Sequence, residues 1–182
     1  MRPNRRQLRV IAEVYDAAID EGRWSQVLDK LAVEVGAKSS VLLILETIRD
    51  YKYSISKCSP HINADPEHAS IYEQHYSHFE AEHFKRVAQL PAGNIINEAD
   101  NYSDSAEFRS RPDVAFLEQH FGIYERFAVR LNPEKAWFDC ITFQYDRRRG
   151  NITPAEADVL HNFIPHIAKV TALSRTFAEL EH

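Results

Sequence analysis

Residues 147–167 read RRRGNITPAEADVLHNFIPHI, a basic stretch that ends at a glycine and leads into a helix signal. Thr153 offers a side-chain oxygen to the first turn of that helix. Pro154 occupies the first helical position, and Glu156 stands three residues after the threonine, which together form the pattern of a capping box. The sequence therefore predicts a long helix that begins at Pro154 and runs to about Glu179.

The length and composition favour a single domain with its own core. The chain has 182 residues and a net charge of −5, whereas a surface that binds nucleic acid throughout is basic. No apolar run approaches the ~20 residues that span a bilayer, and no secretory signal is visible. Cys58 and Cys140 make no disulfide framework, so we expect a cytoplasmic protein. We expect residues 1–179 to form the domain, and residues 180–182 to derive from an expression tag.

The apolar periodicity and the turn signals predict an α+β fold. Helices are expected over Arg5–Glu21, Trp24–Val35, Glu67–Val87, Ser105–Arg109, Asp113–His120 and Pro154–Glu179, the last kinked at Pro165. Strands are expected over Lys38–Glu46, Tyr51–Lys57, Ile123–Leu131 and Trp137–Asp146. Because consecutive strands are joined by short turns and helices lie between the hairpins, we expect a central antiparallel sheet flanked by helices, with the two terminal helices together on one face.

Two segments resemble the N-terminal sensor domain of LuxR-type transcriptional regulators. Residues 17–32, AAIDEGRWSQVLDKLA, are similar to the opening of that domain. Residues 143–147 and 162–167 are similar to its closing strand, its arginine-bearing hairpin end and its Pro-His helix. The resemblance covers about residues 8–178. It implies a PAS- or GAF-like α/β/α sensor fold, usually followed by a helix-turn-helix DNA-binding domain that is absent from these residues.

The resemblance leaves the identity of the effector open. Quorum-sensing members of the family carry Trp-x-x-x-Tyr and then an Asp-Pro, for an acyl-homoserine lactone. The nearest match here is Tyr72-x-x-x-Tyr76, which no Asp-Pro follows, and Asp65–Pro66 lies on its amino-terminal side. An acyl-homoserine lactone is therefore not the favoured ligand.

A mostly aromatic set is expected to line a ligand pocket between the sheet and the helix bearing Tyr72, roofed by residues 89–112. Its members are Tyr72, Tyr76, Phe108, Phe116, Trp137, Ile141 and Phe143. Aromatic residues at such spacing also form ordinary cores, so both interpretations stay open at this point.

Catalytic and metal-binding patterns are not legible in the sequence. Cys140 has no neighbouring base that would make it a nucleophile. His75, His78 and Glu82 share one helical face but lack a fourth ligand, which is typical of a solvated face. We therefore expect no enzymatic activity, no metal and no cofactor.

The final helix carries two apolar rows. One row holds Val159, Phe163, Val170, Leu173 and Phe177, and the other holds Leu160, Ile164 and Ile167. Since one domain face is not expected to bury both, we expect a homodimer whose interface includes Val159, Phe163, Ile167, Val170 and Phe177. Cover by a downstream domain is the alternative.

Taken with the resemblance, these features predict a regulatory sensor domain of a bacterial transcription factor. It is expected to bind a small-molecule effector, to dimerise, and to control DNA binding through the helix-turn-helix domain downstream, with no membrane partner. The alternative function is a dimerisation or interaction module that binds no ligand.

Overall fold

Five antiparallel strands form the central sheet of the computed structural model, which describes residues 2–45, 53–133 and 138–180. They are β1 (Ser39–Leu45), β2 (Tyr53–Cys58), β3 (Ile95–Asn97), β4 (Glu125–Arg130) and β5 (Phe138–Tyr145), in the spatial order β2-β1-β5-β4-β3. All four predicted strands are present within a few residues of their expected bounds. The prediction missed β3, because three residues are too few to show an alternating pattern.

Eight α-helices are described around this sheet, none of them long and apolar enough to cross a membrane. They are α1 (Arg5–Asp16), α2 (Trp24–Glu34), α3 (Pro60–Asn63), α4 (Pro66–His75), α5 (Ala81–Val87), α6 (Ser105–Arg109), α7 (Pro112–Phe121) and α8 (Pro154–Leu180). α8 begins with the predicted capping box: Glu156 Oε2 accepts from Thr153 N at 2.9 Å, and Thr153 Oγ1 accepts from Glu156 N at 3.3 Å.

Two helix predictions were too long. The first helix ends at Asp16, and the carboxylate of Asp20 then caps a short 3-10 turn, Glu21–Arg23, by accepting from Gly22 N. The predicted helix Glu67–Val87 is interrupted by a 3-10 turn, Ser77–Glu80, that separates α4 from α5. Ser77 Oγ donates to Glu73 O at 2.6 Å, a local bond that competes with continuation of the helix.

The terminal helices α1 and α8, together with α2, cover one face of the sheet, as predicted. Their apolar side chains join those of the sheet in one large core cluster. Its fully buried members include Val14, Leu28, Leu31, Leu42, Ile141, Phe143, Tyr145, Leu160, Phe163 and Ile167. Since Ile141, Phe143 and Tyr145 alternate along β5, this cluster fixes which face of β5 points away from it.

This core corrects the predicted dimer surface. Phe163, Ile167 and Val170 are 0% exposed within a single chain, so they are not available to a partner. The second row, Leu160, Ile164 and Ile167, and the middle of the first row are thus buried within one chain, and Val159 is partly buried against the same core. Leu173, at 37% exposed, and Phe177, at 47%, are the large apolar residues of α8 that remain at the described surface.

Candidate functional site

A cavity of about 300 Å³ lies on the sheet face opposite α1 and α8. Strands β1, β4 and β5 form one wall, and α3, α4, α5 and α7 supply the others. Its apolar lining consists of Val41, Leu43, Cys58, Ile62, Ala69, Phe84, Leu117, Phe121, Ile123 and Phe127. Its polar lining consists of Tyr72, Glu73, Ser77, Glu80, His83, Glu98, Arg126, Thr142 and Gln144. A concave, mainly apolar space with polar groups on part of its wall is typical of small-molecule sites.

Arg126 lies in the polar wall and joins four elements of the fold. It leaves β4 on the cavity face, and Arg126 Nη1 donates to the hydroxyl of Tyr72 at 3.0 Å and to the carboxylate of Glu80. Its Nη2 donates to Asp113 Oδ2 at 3.2 Å and forms an ion pair with Glu98. Tyr72 in turn donates to Glu80 Oε1 at 2.7 Å. We call this space the Arg126 cavity.

The guanidinium of Arg126 stays charged although it is buried. Burial alone lowers the pKa of an arginine, but the facing Glu98, Tyr72 and Glu80 raise the pKa of Arg126 well above its ordinary value. The pKa of Tyr72 is also raised, first by burial and then by the charge of Glu80. Tyr72 is therefore a neutral hydroxyl at physiological pH.

Arg111 extends the network behind the cavity wall. It pairs bidentately with Asp113, through Nε–Oδ1 at 2.9 Å and Nη2–Oδ2 at 2.6 Å, and it donates to Glu98 Oε1 at 3.2 Å. The same arginine donates to Phe79 O at 2.9 Å, next to Glu80. Because Glu98 and Asp113 each contact both arginines, the two guanidiniums hold the cavity wall as one unit.

His83 contributes an imidazole ring to the lining of the Arg126 cavity. It is 4% exposed, and Asn101 Nδ2 donates to its Nδ1 at 2.7 Å. Burial, followed by the positive charge of Arg126, lowers the pKa of His83 from 6.5 to about 3. At pH 7 the ring is neutral and adds no positive charge to the cavity.

The structure places the seven predicted pocket residues in different surroundings. Tyr72 lines the cavity. Tyr76 and Phe116 stack on each other at 4.6 Å between ring centroids, beside the cavity rather than in its wall. Phe108 is 1% exposed and lies under the guanidinium of Arg109, 4.8 Å from its ring centroid.

The prediction placed the wrong row of β5 side chains in the pocket. Ile141 and Phe143 belong to the core under α1 and α8, and Thr142 and Gln144, one residue on, line the cavity instead. Both faces of β5 are buried, and the prediction placed the apolar row in the pocket although the more polar row, with Thr142 and Gln144, faces it. Trp137 lies outside the described residues. Of the predicted roof, residues 89–112, the lining includes Glu98.

The charged lining was missed by the sequence analysis. The available signal was Arg126 itself, an arginine in a strand that is buried on both faces, since such an arginine requires carboxylate partners. Those partners stand 46 residues before it at Glu80 and 13 residues before it at Asp113, so their pairing is not visible in sequence spacing. Within the described ranges no group of three or more His, Cys, Asp or Glu side chains is placed to hold a metal.

Comparison with known proteins shows the fold. No protein-family model and no curated protein matches the sequence. Among solved structures, an N-acylhomoserine lactone dependent LuxR-family transcriptional factor, CepR2 from Burkholderia cenocepacia, is similar with a TM-score of 0.59 at 13% identity, covering 93% of this chain and 94% of its own. The VqsR ligand-binding domain from Pseudomonas aeruginosa gives 0.57 at 10% identity, with coverage of 93% and 96%.

A GAF domain is similar as well. GAF3 of Slr1393 from Synechocystis sp. PCC6803, in its photoproduct state, gives a TM-score of 0.54 at 9% identity, covering 89% of this chain and 99% of its own. At these identities the likeness is one of fold, and it extends over nearly the whole of each chain. The chain therefore has the PAS/GAF-like sensor-domain fold that the ligand-binding domains of LuxR-family regulators and GAF domains share.

Proposed function

We propose that this domain is a regulatory sensor that binds a small molecule in the Arg126 cavity. The observation that carries the proposal is the cavity itself, a partly open space with an apolar wall and a prearranged polar wall. In a fold shared with known ligand-binding domains, such a space is a binding site rather than a packing defect, because interiors are otherwise filled to the density of organic crystals.

The prearrangement of the polar wall supports binding over simple packing. Arg126, Glu80, Glu98 and Tyr72 are held by one another and by Arg111. A ligand therefore meets groups that are already ordered, and it does not bear the entropic cost of ordering them. An interaction module without a ligand has no need of this cavity, and that is the alternative to be tested.

The proposed output is control of DNA binding. α8 is expected to lead into a helix-turn-helix domain after residue 180, and the protein is expected to act in the cytoplasm, where its DNA target lies. A homodimer belongs to the same proposal, with the exposed Leu173 and Phe177 as its apolar contact on α8. The reading frame downstream of α8 tests the first point: a helix-turn-helix pattern of about 60 residues supports regulation, and a stop codon contradicts it.

The test of the sensor is retention of a ligand by the wild-type protein and its loss in a variant with a filled cavity. Ala69 lines the cavity from α4, so Ala69→Trp places an indole in the ligand space. Ala12→Trp is the matched control, since Ala12 is exposed on α1, away from the cavity. Native mass spectrometry of protein purified from its own cells should show a small-molecule adduct on the wild type and on Ala12→Trp, but not on Ala69→Trp. An adduct that survives in Ala69→Trp, or none on the wild type, contradicts the proposal.

A further inference from the structure

The charges that line the Arg126 cavity are unbalanced. Glu73, Glu80 and Glu98 contribute three carboxylates to the lining, and Arg126 contributes one guanidinium. Glu73 is exposed to solvent, so the buried lining has a surplus of one carboxylate, and Arg111 and Asp113 behind the wall offset each other. His83 does not redress the balance, because it is neutral at pH 7. A surplus of negative charge beside an apolar wall is costly unless a positive group joins it.

The guanidinium of Arg126 is not available to an anionic ligand. Its two terminal nitrogens already contact Tyr72, Glu80, Asp113 and Glu98. A carboxylate or phosphate that entered the cavity would have to displace one of these partners and would face the remaining carboxylates. The lining therefore disfavours acids as ligands.

Glu98 is the most deeply buried of the three carboxylates that line the cavity. Its side chain is 1% exposed, and its Oε2 lies 2.5 Å from Arg126 Nη2, yet the two atoms form an ion pair without hydrogen-bond geometry. The contact with Arg126 balances the charge of this oxygen but leaves its hydrogen-bonding capacity unused. Since Glu98 borders the cavity, an N–H donor in the cavity is placed to add that hydrogen bond.

We propose that the ligand of this cavity is an amphiphile with a basic nitrogen, whose charged N–H group binds the carboxylate of Glu98 and whose apolar part lies along Leu43, Leu117 and Phe121. The inference rests on the proposed sensor function and names the chemical class of its ligand. A neutral ligand packs against the apolar wall but leaves the surplus negative charge of the lining unbalanced. An anionic ligand increases that negative charge.

Three probes with one tail test the proposal: 1-octylamine, 1-octanol and octanoate, at equal sub-micellar concentrations and pH 7.5. At this pH the amine is protonated, because simple amines have pKa values near ~10.4. Thermal-shift and calorimetric titration of the wild-type protein should give affinities in the order amine, alcohol, carboxylate. A charged hydrogen bond of this kind is expected to favour the amine over the alcohol about tenfold or more.

Substitutions test whether Glu98 causes the preference for the amine. Glu98→Gln should remove most of the preference for the amine while leaving the affinity for octanol within about twofold. Glu82→Gln is the matched control, since it also removes one carboxylate. The side chain of Glu82 is 70% exposed and paired with Lys85, so this substitution should leave the preference for the amine unchanged. Should Glu98→Gln not fold, Glu73→Gln at the exposed rim, which is expected to weaken the preference by a smaller factor, takes its place.

The outcomes separate this inference from the sensor function. If octylamine fails to bind, or binds no better than octanol in the wild type, the basic nitrogen is wrong. If Glu82→Gln lowers the preference as much as Glu98→Gln does, the attraction is one of overall charge and the assignment to Glu98 is wrong. In either case the sensor function is judged separately, by the adduct retained from cells and its loss in Ala69→Trp.

Discussion

Acidification from pH 7.5 to pH 4.5 is expected to lower the free energy of unfolding by about 2.7 kcal/mol through His83 alone. In the folded protein the pKa of His83 is lowered from 6.5 to about 3. In the unfolded chain the imidazole takes up a proton near pH 6.5, whereas the folded state stays unprotonated until about pH 3. Between these values the unfolded state binds more protons, so stability falls as the pH falls. The two units from pH 6.5 to pH 4.5 contribute about 1.4 kcal/mol each.

The assay is urea unfolding of three proteins at both pH values. His83→Gln removes the titrating group and keeps an amide near Asn101, so its stability should fall less than that of the wild type by about 2.7 kcal/mol. His75→Gln is the control, since His75 is exposed on α4. Carboxylates such as Glu156, whose pKa is lowered in the folded state, also reduce stability in acid, but all three proteins share them.

The test compares how much unfolding free energy each protein loses between the two pH values, rather than the unfolding free energies themselves. If the wild type and His83→Gln lose the same stability between pH 7.5 and pH 4.5, the pKa of His83 is the same in the folded and unfolded states, and the folded ring takes up a proton well before pH 4.5. That result would contradict a buried ring that stays neutral down to about pH 3. A larger loss in His83→Gln than in the wild type would reverse the sign of the effect and refute the reasoning equally.

Two further substitutions test the packing and the helix start. Phe163→Ala should lower the free energy of unfolding, measured with urea, by about 3–5 kcal/mol, because the side chain of Phe163 is 0% exposed. Phe177, at 47% exposed, is the control, and Phe177→Ala should cost less than about 1 kcal/mol. Similar costs would show that Phe163 is not in the core. Glu156→Ala should lower the melting temperature through a loss of about 1 kcal/mol, since it removes the bond from Thr153 N at 2.9 Å; an unchanged melting temperature would mean that water replaces this cap.

The parts of the fold that sequence reasoning predicted correctly are those with local causes. Thr153, Pro154 and Glu156 lie within four residues of one another, and their capping box is present as expected. The α+β class and the antiparallel hairpins likewise follow from local periodicity and short turns. The helix interruption at Ser77–Glu80 was missed, because the apolar pattern continues through it; a side-chain bond from Ser77 to Glu73 O accompanies the break.

The candidate site depended on distant contacts and was predicted only in part. Tyr72 was identified from its position on an aromatic helix face, and it lines the cavity. Ile141 and Phe143 were assigned to the pocket because they are apolar, but both faces of β5 are buried, and the row that lines the cavity is the one with the polar Thr142 and Gln144. Arg126 was passed over although a buried arginine implies a network, since its carboxylate partners come from three other parts of the chain.

The alternation of β5 has a mechanical consequence. Thr142 and Gln144 border the cavity, while Ile141 and Phe143, each one peptide unit away, share a core cluster with Phe163 of α8. The ligand space and the long terminal helix are thus separated by the thickness of one strand. On the proposed sensor function, we expect a ligand that tilts or slides β5 to displace the residues on which α8 packs, because the same strand borders both. The stiffness of β5 is then expected to determine how much of a movement at the cavity reaches the helix.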